Sequence, residues 1–148
     1  MKSIRLNKVG IALSVAMLAT LFLTNYLFYS FAMNTALVAA LIVLHYAMFI
    51  HYRKSKNILS YAIYLGVLIA AVVLTLPAVT TGMAKNDIEA IYQVRVEESW
   101  SESRDMNSFH PFSSNHVYVF KAVNSSGETE WFSANPRNGT NERIVKEE

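Results

Sequence analysis

From Val9 to Tyr52 the chain runs for 44 residues without a charged side chain. As one straight helix this stretch would reach about 66 Å, roughly twice the ~30 Å hydrocarbon thickness of a bilayer. A run this long and this apolar has to turn back on itself in lipid, where only helices satisfy every backbone polar group from within. The polar, turn-compatible break near its middle is Asn34-Thr35, after Met33. Two spanning helices are therefore expected, at about 9–32 and 36–52, joined by a very tight loop. A second uncharged stretch, Asn57–Ala84, predicts a third at about 58–82. Near its end Pro77 removes one backbone hydrogen bond, Thr75, Thr80 and Thr81 can bond freed carbonyls, and Gly82 suits a helix stop.

Charge is divided as sharply as hydropathy. The 148 residues carry a net +2, yet the first 83 hold six basic residues and no acid, whereas residues 84–148 hold seven basic and eleven acidic ones. At 53% hydrophobic and 16% charged, the chain departs from the roughly 25% charge of soluble domains in the membrane direction. Disorder, a coiled coil and a single soluble core are excluded, and the absence of cysteine excludes a disulfide-stapled mini-protein. The expected organisation is a three-helix transmembrane region over 1–83 followed by a small antiparallel β domain of three to four strands over 84–148.

Lysine and arginine placement sets the expected orientation. Lys2, Arg5 and Lys8 precede the first span, and Arg53, Lys54 and Lys56 crowd the loop between the second and third, while 33–35 has none. Both clusters put the N-terminus and the 53–57 loop in the cytoplasm, and the 33–35 loop and everything after Gly82 outside. Ser30-Phe31-Ala32 resembles a signal-cleavage site. The apolar run before it is longer than a usual h-region of about 7–15 residues, which favours an uncleaved anchor.

Small residues let helices approach closely in lipid. Ala62, Gly66 and Ala70 repeat every fourth position on the third span, as do Ala36 with Ala40 and Ala12 with Ala16 on the others. We read these as packing positions of a three-helix bundle, with room for a homo-oligomer or a partner helix. Asn25 and His45 are the costliest polar groups in the spans, at different depths, so the two are not expected to pair. His51 with Tyr52, and Tyr61 with Tyr64, fit a cytoplasmic-side interfacial belt; Tyr26, Tyr29 and Phe31 fit the outer one. His45 and His51 lie about 240° apart around one helix, an arrangement that does not suit axial haem ligation. The spans contain no acid to build a proton pathway.

After Gly82 the texture changes to short alternating runs. Ala84–Ala90 reads as a continuation of the helix or a juxtamembrane linker. Tyr92, Val94 and Val96 alternate with polar residues as a half-buried strand does, Ser99–Asn115 reads as a long loop with or without a short helix, and His116–Val123 is a strong second strand. Asn124-Ser125-Ser126-Gly127 marks a turn before a strand at 128–134, and Asn135–Gly139 a second turn before a short last strand at 140–145. The closing stretch 117–145 resembles extracytoplasmic sheet modules of the PepSY type, a likeness from which no function is taken. So small a domain is marginal alone, so support from the membrane surface, a partner or a second copy is expected. Trp100, Phe109, Phe112, Trp131 and Phe132 are either its core or a binding face for protein, peptide or lipid headgroups.

Catalytic signatures are lacking. His110 and His116, with Glu102 and Asp105 upstream, are the clustered metal-type ligands, without cysteine and without helical spacing. Ser113 and Ser114 near His116 lack a nucleophile-elbow context, and the five glycines are scattered rather than gathered into a phosphate loop. The basic 53–57 loop is explained by anionic lipid without nucleic acid. No cofactor is implied. The sequence thus suggests a non-enzymatic, multi-pass protein of a bacterial cell membrane whose outer β domain binds a protein or peptide, as an accessory, immunity or sensor component. The alternative is an oligomeric pore-forming or transport component.

Overall fold

A computed structural model describes residues 8–103 and 116–145 of the chain. The elements are α1 (Lys8–Tyr29), α2 (Ala36–Ser55), α3 (Ile58–Thr75), α4 (Thr81–Tyr92), β1 (Arg95–Ser103), β2 (His116–Val123), β3 (Thr129–Ala134) and β4 (Asn141–Ile144). The first three helices are long and apolar enough to cross a membrane. They fall where the uncharged runs place them, and the sheet has four strands. The chain divides into two compact units, residues 1–23 with 35–75, and residues 24–34 with 76–148.

In the first unit the inner faces of the helices mix polar, aromatic and aliphatic residues, and the outer faces are aliphatic. Gly10, Ser14 and Leu21 are buried on α1, Val38, Ile42 and His45 on α2, and Tyr64, Leu68, Ala71 and Thr75 on α3, each set recurring at helical spacing. Val43, Ile63, Val67, Ile69 and Val73 are all more than half exposed, the inside-out pattern of helices meant for lipid. Gly10 permits the close approach of α1 and α2, since a Cβ there would stand 2.8 Å from Phe49 Cδ1.

The small-residue positions are a correction. Ala62, Gly66 and Ala70 are exposed, as are Ala12, Ala16, Ala36 and Ala40, and a Cβ on Gly66 would meet nothing within 4 Å. Polar groups explain the choice of face: in hydrocarbon an unpaired hydroxyl or imidazole costs more than a lost alanine contact. Ser14, His45 and Tyr64 therefore take the inside.

The third helix is shorter than expected. It stops at Thr75, whose hydroxyl donates to the Ala71 carbonyl at 3.0 Å and the Val72 carbonyl at 2.9 Å. Pro77 disfavours helical geometry at the residue before it. Thr80 then starts α4 as an N-cap, its Oγ1 accepting from Met83 N at 3.2 Å, so Gly82 opens a helix rather than closing one. The expected change of character at 83/84 falls within α4.

The second unit is a four-stranded antiparallel meander, order β1-β2-β3-β4, with α4 packed on β1 and β2. One sheet face forms the core. Val96, Tyr118, Phe120, Ala122, Phe132 and Ala134 bury against Ala84 and Ile88 of α4, with Tyr92, Val79 and Tyr29 at the margin. Ala32, fully buried, belongs to the same core. The turn that carries it is held locally: Asn25 Oδ1 accepts from Met33 N at 3.0 Å, Phe31 N donates to the Asn25 carbonyl at 3.1 Å, and Ser30 and Phe31 adopt left-handed φ values of 45° and 65°. Ser30 Oγ lies 3.0 Å from Thr81 Oγ1, and Ser101 Oγ donates to the Ser30 carbonyl. Val79 N donates to the Pro136 carbonyl at 3.1 Å and Tyr118 Oη to the Val79 carbonyl at 3.0 Å, which pins the 76–80 segment to the β3–β4 turn. Gly139 (φ 70°) completes that turn where a Cβ would come 2.9 Å from Val79.

The first strand is also longer than expected. Residues 99–103, assigned to a loop from their serine content, pair with β2 as far as Ser103 opposite His116. A bulge between Val96 and Glu98 resets the alternation, so that Val96 stands opposite Ala122 on the core side and Trp100 opposite Val119 on the other.

Candidate functional site

Two groups of residues hold chemistry that packing alone does not require. The first is a polar line inside the first unit. Ser14 Oγ on α1 lies 2.9 Å from His45 Nδ1 on α2, and His45 Nε2 lies 2.8 Å from Tyr61 Oη on α3. A neutral imidazole donates through one nitrogen and accepts through the other, so a hydroxyl at each end satisfies it in either tautomer. His45 is fully buried. Phe49, Tyr61 and Tyr64 ring it at centroid distances of 6.0, 6.0 and 6.2 Å, and Tyr52 stacks on Tyr61 at 5.0 Å. Tyr64, placed by its aromaticity in an interfacial belt, is instead buried and donates to the Leu41 carbonyl. Asn25 does not join this line; its carboxamide serves the 24–34 turn. The line ties three helices together and includes no acid.

The second group is the outer face of the sheet, opposite the core. Strand register puts Glu98, Trp100 and Glu102 of β1 beside Lys121, Val119 and Val117 of β2. Lys121 and Val119 in turn face Trp131 and Ser133 of β3, which face Ile144 and Glu142 of β4. Trp100 and Trp131 meet edge to face, with centroids 5.7 Å apart at 79°. Such a pair contributes about 0.5–1.5 kcal/mol beyond its buried area. Val119 lies between the strands that carry them and is 1% exposed. Trp100 Nε1 donates to Glu102 Oε1 at 2.8 Å. Lys121 Nζ lies 5.9 Å from the Trp131 ring centroid and 4.0 Å from Glu98.

The five aromatic candidates thus separate. Trp100 and Trp131 come together on the outer face. Phe132, fully buried with its ring 4.6 Å from that of Tyr92, belongs to the core and not to a binding face. Phe109 and Phe112 lie outside the described residues, as do His110, Asp105, Ser113 and Ser114. Sequence reasoning passed over Glu98, Val119 and Lys121 as site residues and considered Glu102 only as a metal-type ligand, because the bulge that aligns them leaves no compositional trace. The period-two spacing of Glu98, Trp100 and Glu102 was the available signal.

The remaining features offer less. An open depression of about 500 Å³ lies by Gln93, Arg95, Val123 and Asn124. The Asn124 side chain there is spent on its own turn, accepting from Ser126 N and Glu128 N and donating to Glu128 and Glu130. Among the described residues no group of three histidine, aspartate or glutamate side chains is placed to hold a metal ion. Burial pushes the Tyr118 phenol well above its usual range. Compared with protein-family models, curated proteins and solved structures, the chain matches none of them, so the PepSY-type likeness assigns no family.

Proposed function

We propose that this is a small, non-enzymatic membrane protein whose sheet domain stands outside the cytoplasmic membrane of a bacterium and recognises a protein or peptide partner, as an accessory, immunity or sensor component. The observation that carries the reading is the paired Trp100 and Trp131 on a sheet face that the domain's own core does not use. Aromatic residues set in a rim of charge are the usual composition of recognition surfaces.

The topology has support beyond charge. Ala32, between the first two spans, and Tyr29, at the end of the first, pack in the same core as Ile88 and Phe120, beyond the third. The 30–34 turn and the sheet domain therefore share one side of the membrane, as three passes require. That side is the outer one by the basic residues of the N-terminus and the 53–57 loop. The same packing favours an uncleaved first helix, since a chain cut after Ala32 loses part of its domain core.

Trp131→Ala in the full chain is expected to abolish co-purification of the partner from native membranes, with membrane insertion and thermal unfolding of the domain retained. Unchanged association would overturn the recognition reading. An alkaline-phosphatase fusion after Glu148 should be active and one in the 53–57 loop inactive; the reverse pattern would overturn the orientation.

A further inference from the structure

We infer that the end of the helical unit where α2 turns into α3 selects anionic phospholipids, holding the headgroup phosphodiester against Arg53, Lys54, Lys56 and Lys8. The inference rests on the three helices crossing a bilayer and is independent of partner recognition by the sheet domain. Contacts between the helices bring these cations to one level. Ser14 of α1, His45 of α2 and Tyr61 of α3 share the polar line. From that line Lys8 lies ~9 Å back along α1 and Arg53 ~12 Å forward along α2. The two helices are antiparallel, since Gly10 faces Phe49 where Ser14 meets His45, so both displacements point to the same end. Tyr46, Phe49 and Arg53 follow at i, i+3 and i+7, so Arg53 continues the stripe of α2 that faces Gly10. Tyr52 stacks on Tyr61 at this end with centroids 5.0 Å apart, where an aromatic belt marks the headgroup level.

Charge defines the ligand. Residues 1–83 hold six basic residues and no acid, so none of these cations can find a carboxylate in its own unit. Lys8, Arg53, Lys54 and Lys56 are exposed and form no ion pair within the described residues, whereas Arg143 of the sheet meets Glu130 at 3.1 Å. In a membrane the missing counterion is the lipid headgroup. A guanidinium forks two phosphate oxygens, and the lysines add charge around it. A choline or ethanolamine headgroup brings a cation of its own, which would face four others with no carboxylate to receive it. A glycerol headgroup brings only hydroxyls, so the site discriminates by repulsion as well as attraction. The turn that carries the cations is already ordered. Ser55 Oγ donates to the His51 carbonyl at 2.9 Å and accepts from Asn57 N at 3.2 Å, and Asn57 Oδ1 accepts from Ser60 N at 3.1 Å. Binding therefore does not have to order that segment.

The test uses the full chain in phosphatidylcholine vesicles with traces of nitroxide-labelled phosphatidylglycerol or phosphatidylcholine. Electron paramagnetic resonance reads the fraction of each label immobilised at the protein. Phosphatidylglycerol is expected to associate about tenfold more strongly at ~0.01 M ionic strength and about equally at ~1 M, where charge is screened beyond ~3 Å. Arg53→Gln with Lys54→Gln and Lys56→Gln should remove most of the preference. Arg53→Lys, which keeps the charge pattern that orients the spans, should lose part of it, and Arg143→Gln should leave it whole. Equal association of the two lipids with the wild-type chain, or a preference untouched by salt, would overturn the inference and leave the sheet-domain reading standing. So would a preference that Arg53→Lys and the triple variant leave unchanged, or one that Arg143→Gln lowers as far as they do. Displacement of the labelled lipid by soluble glycerol phosphate at matched ionic strength would reveal a site for free phosphate esters and overturn the lipid assignment.

Discussion

Replacing Ala32 with leucine tests the most unusual feature of the domain, the contribution of a turn between membrane spans to the core of a sheet. Ala32 is fully buried among Ile88, Phe120 and their neighbours. An isobutyl group has no space there, and overpacking of this kind costs about 1–3 kcal/mol. A unit of 84 residues has roughly 4–13 kcal/mol of stability in total, at ~0.05–0.15 kcal/mol per residue. A 2 kcal/mol loss would raise the population of the opened domain about 30-fold. Hydrogen exchange in nanodiscs should show this as accelerated exchange of the β2 amides, His116–Val123, far from residue 32 in sequence. Phe31→Ala is the control: Phe31 is 54% exposed, and such surface changes stay within about 0.5 kcal/mol. If β2 exchanges at the wild-type rate in Ala32→Leu, or no faster than in Phe31→Ala, the turn is not part of the core and the shared-side argument for topology fails with it.

Three further outcomes follow from other contacts. His45→Leu strands the Ser14 and Tyr61 hydroxyls and should lower resistance of the helical unit to denaturing detergent by about 1–3 kcal/mol, whereas Ser14→Ala should cost less, since Tyr61 still meets the ring. Gly10→Val forces a side chain against Phe49 Cδ1 at 2.8 Å and should reduce cross-linking between cysteines placed on α1 and α2; Gly66→Val, with open space around it, should not. Tyr118 has its phenol raised above the ordinary 10.0 by burial, so its neutral form is the one folding favours. The stability it lends is complete below pH ~10 and is lost as pH rises toward the folded-state value. Near-ultraviolet circular dichroism should accordingly show alkaline unfolding that Tyr118→Phe makes shallower; an identical alkaline limb in both proteins would refute the assignment.

What the sequence disclosed depended on how local the cause was. The spans were legible because uncharged runs are a property of single segments, and β2 and β3 because their alternation is. The end of α3 was misplaced since residues 76–82 stay uncharged past Pro77; the break became visible only with the Thr80 cap. The inner faces of the helices were misread for a related reason. Alanine spacing advertises a packing face, but pairing of Ser14, His45 and Tyr61 across three helices outranks it, and no single segment shows that pairing. Ala32 could not have been assigned to a domain more than fifty residues away in sequence by any periodicity. Of the aromatic candidates, residue type alone left Trp131 and Phe132 equal. Their opposite faces came from strand parity, which places Phe132 in the core and its neighbour outside.

The bulge at residue 97 gives the outer surface an origin in chain length rather than in residue identity. Val96 and Trp100 are four positions apart, so without the bulge a strand of unbroken alternation that keeps Val96 in the core must deliver Trp100 to the core as well. A strand that keeps Trp100 outside must then expel Val96. Glu97 is the surplus residue that the bulge absorbs, so its deletion should leave Val96 inside, Trp100 outside and the indole pair intact on a regular strand. The outer face is accordingly expected to tolerate the loss of one residue at this point of β1, because the bulge and not the pairing beyond it would disappear.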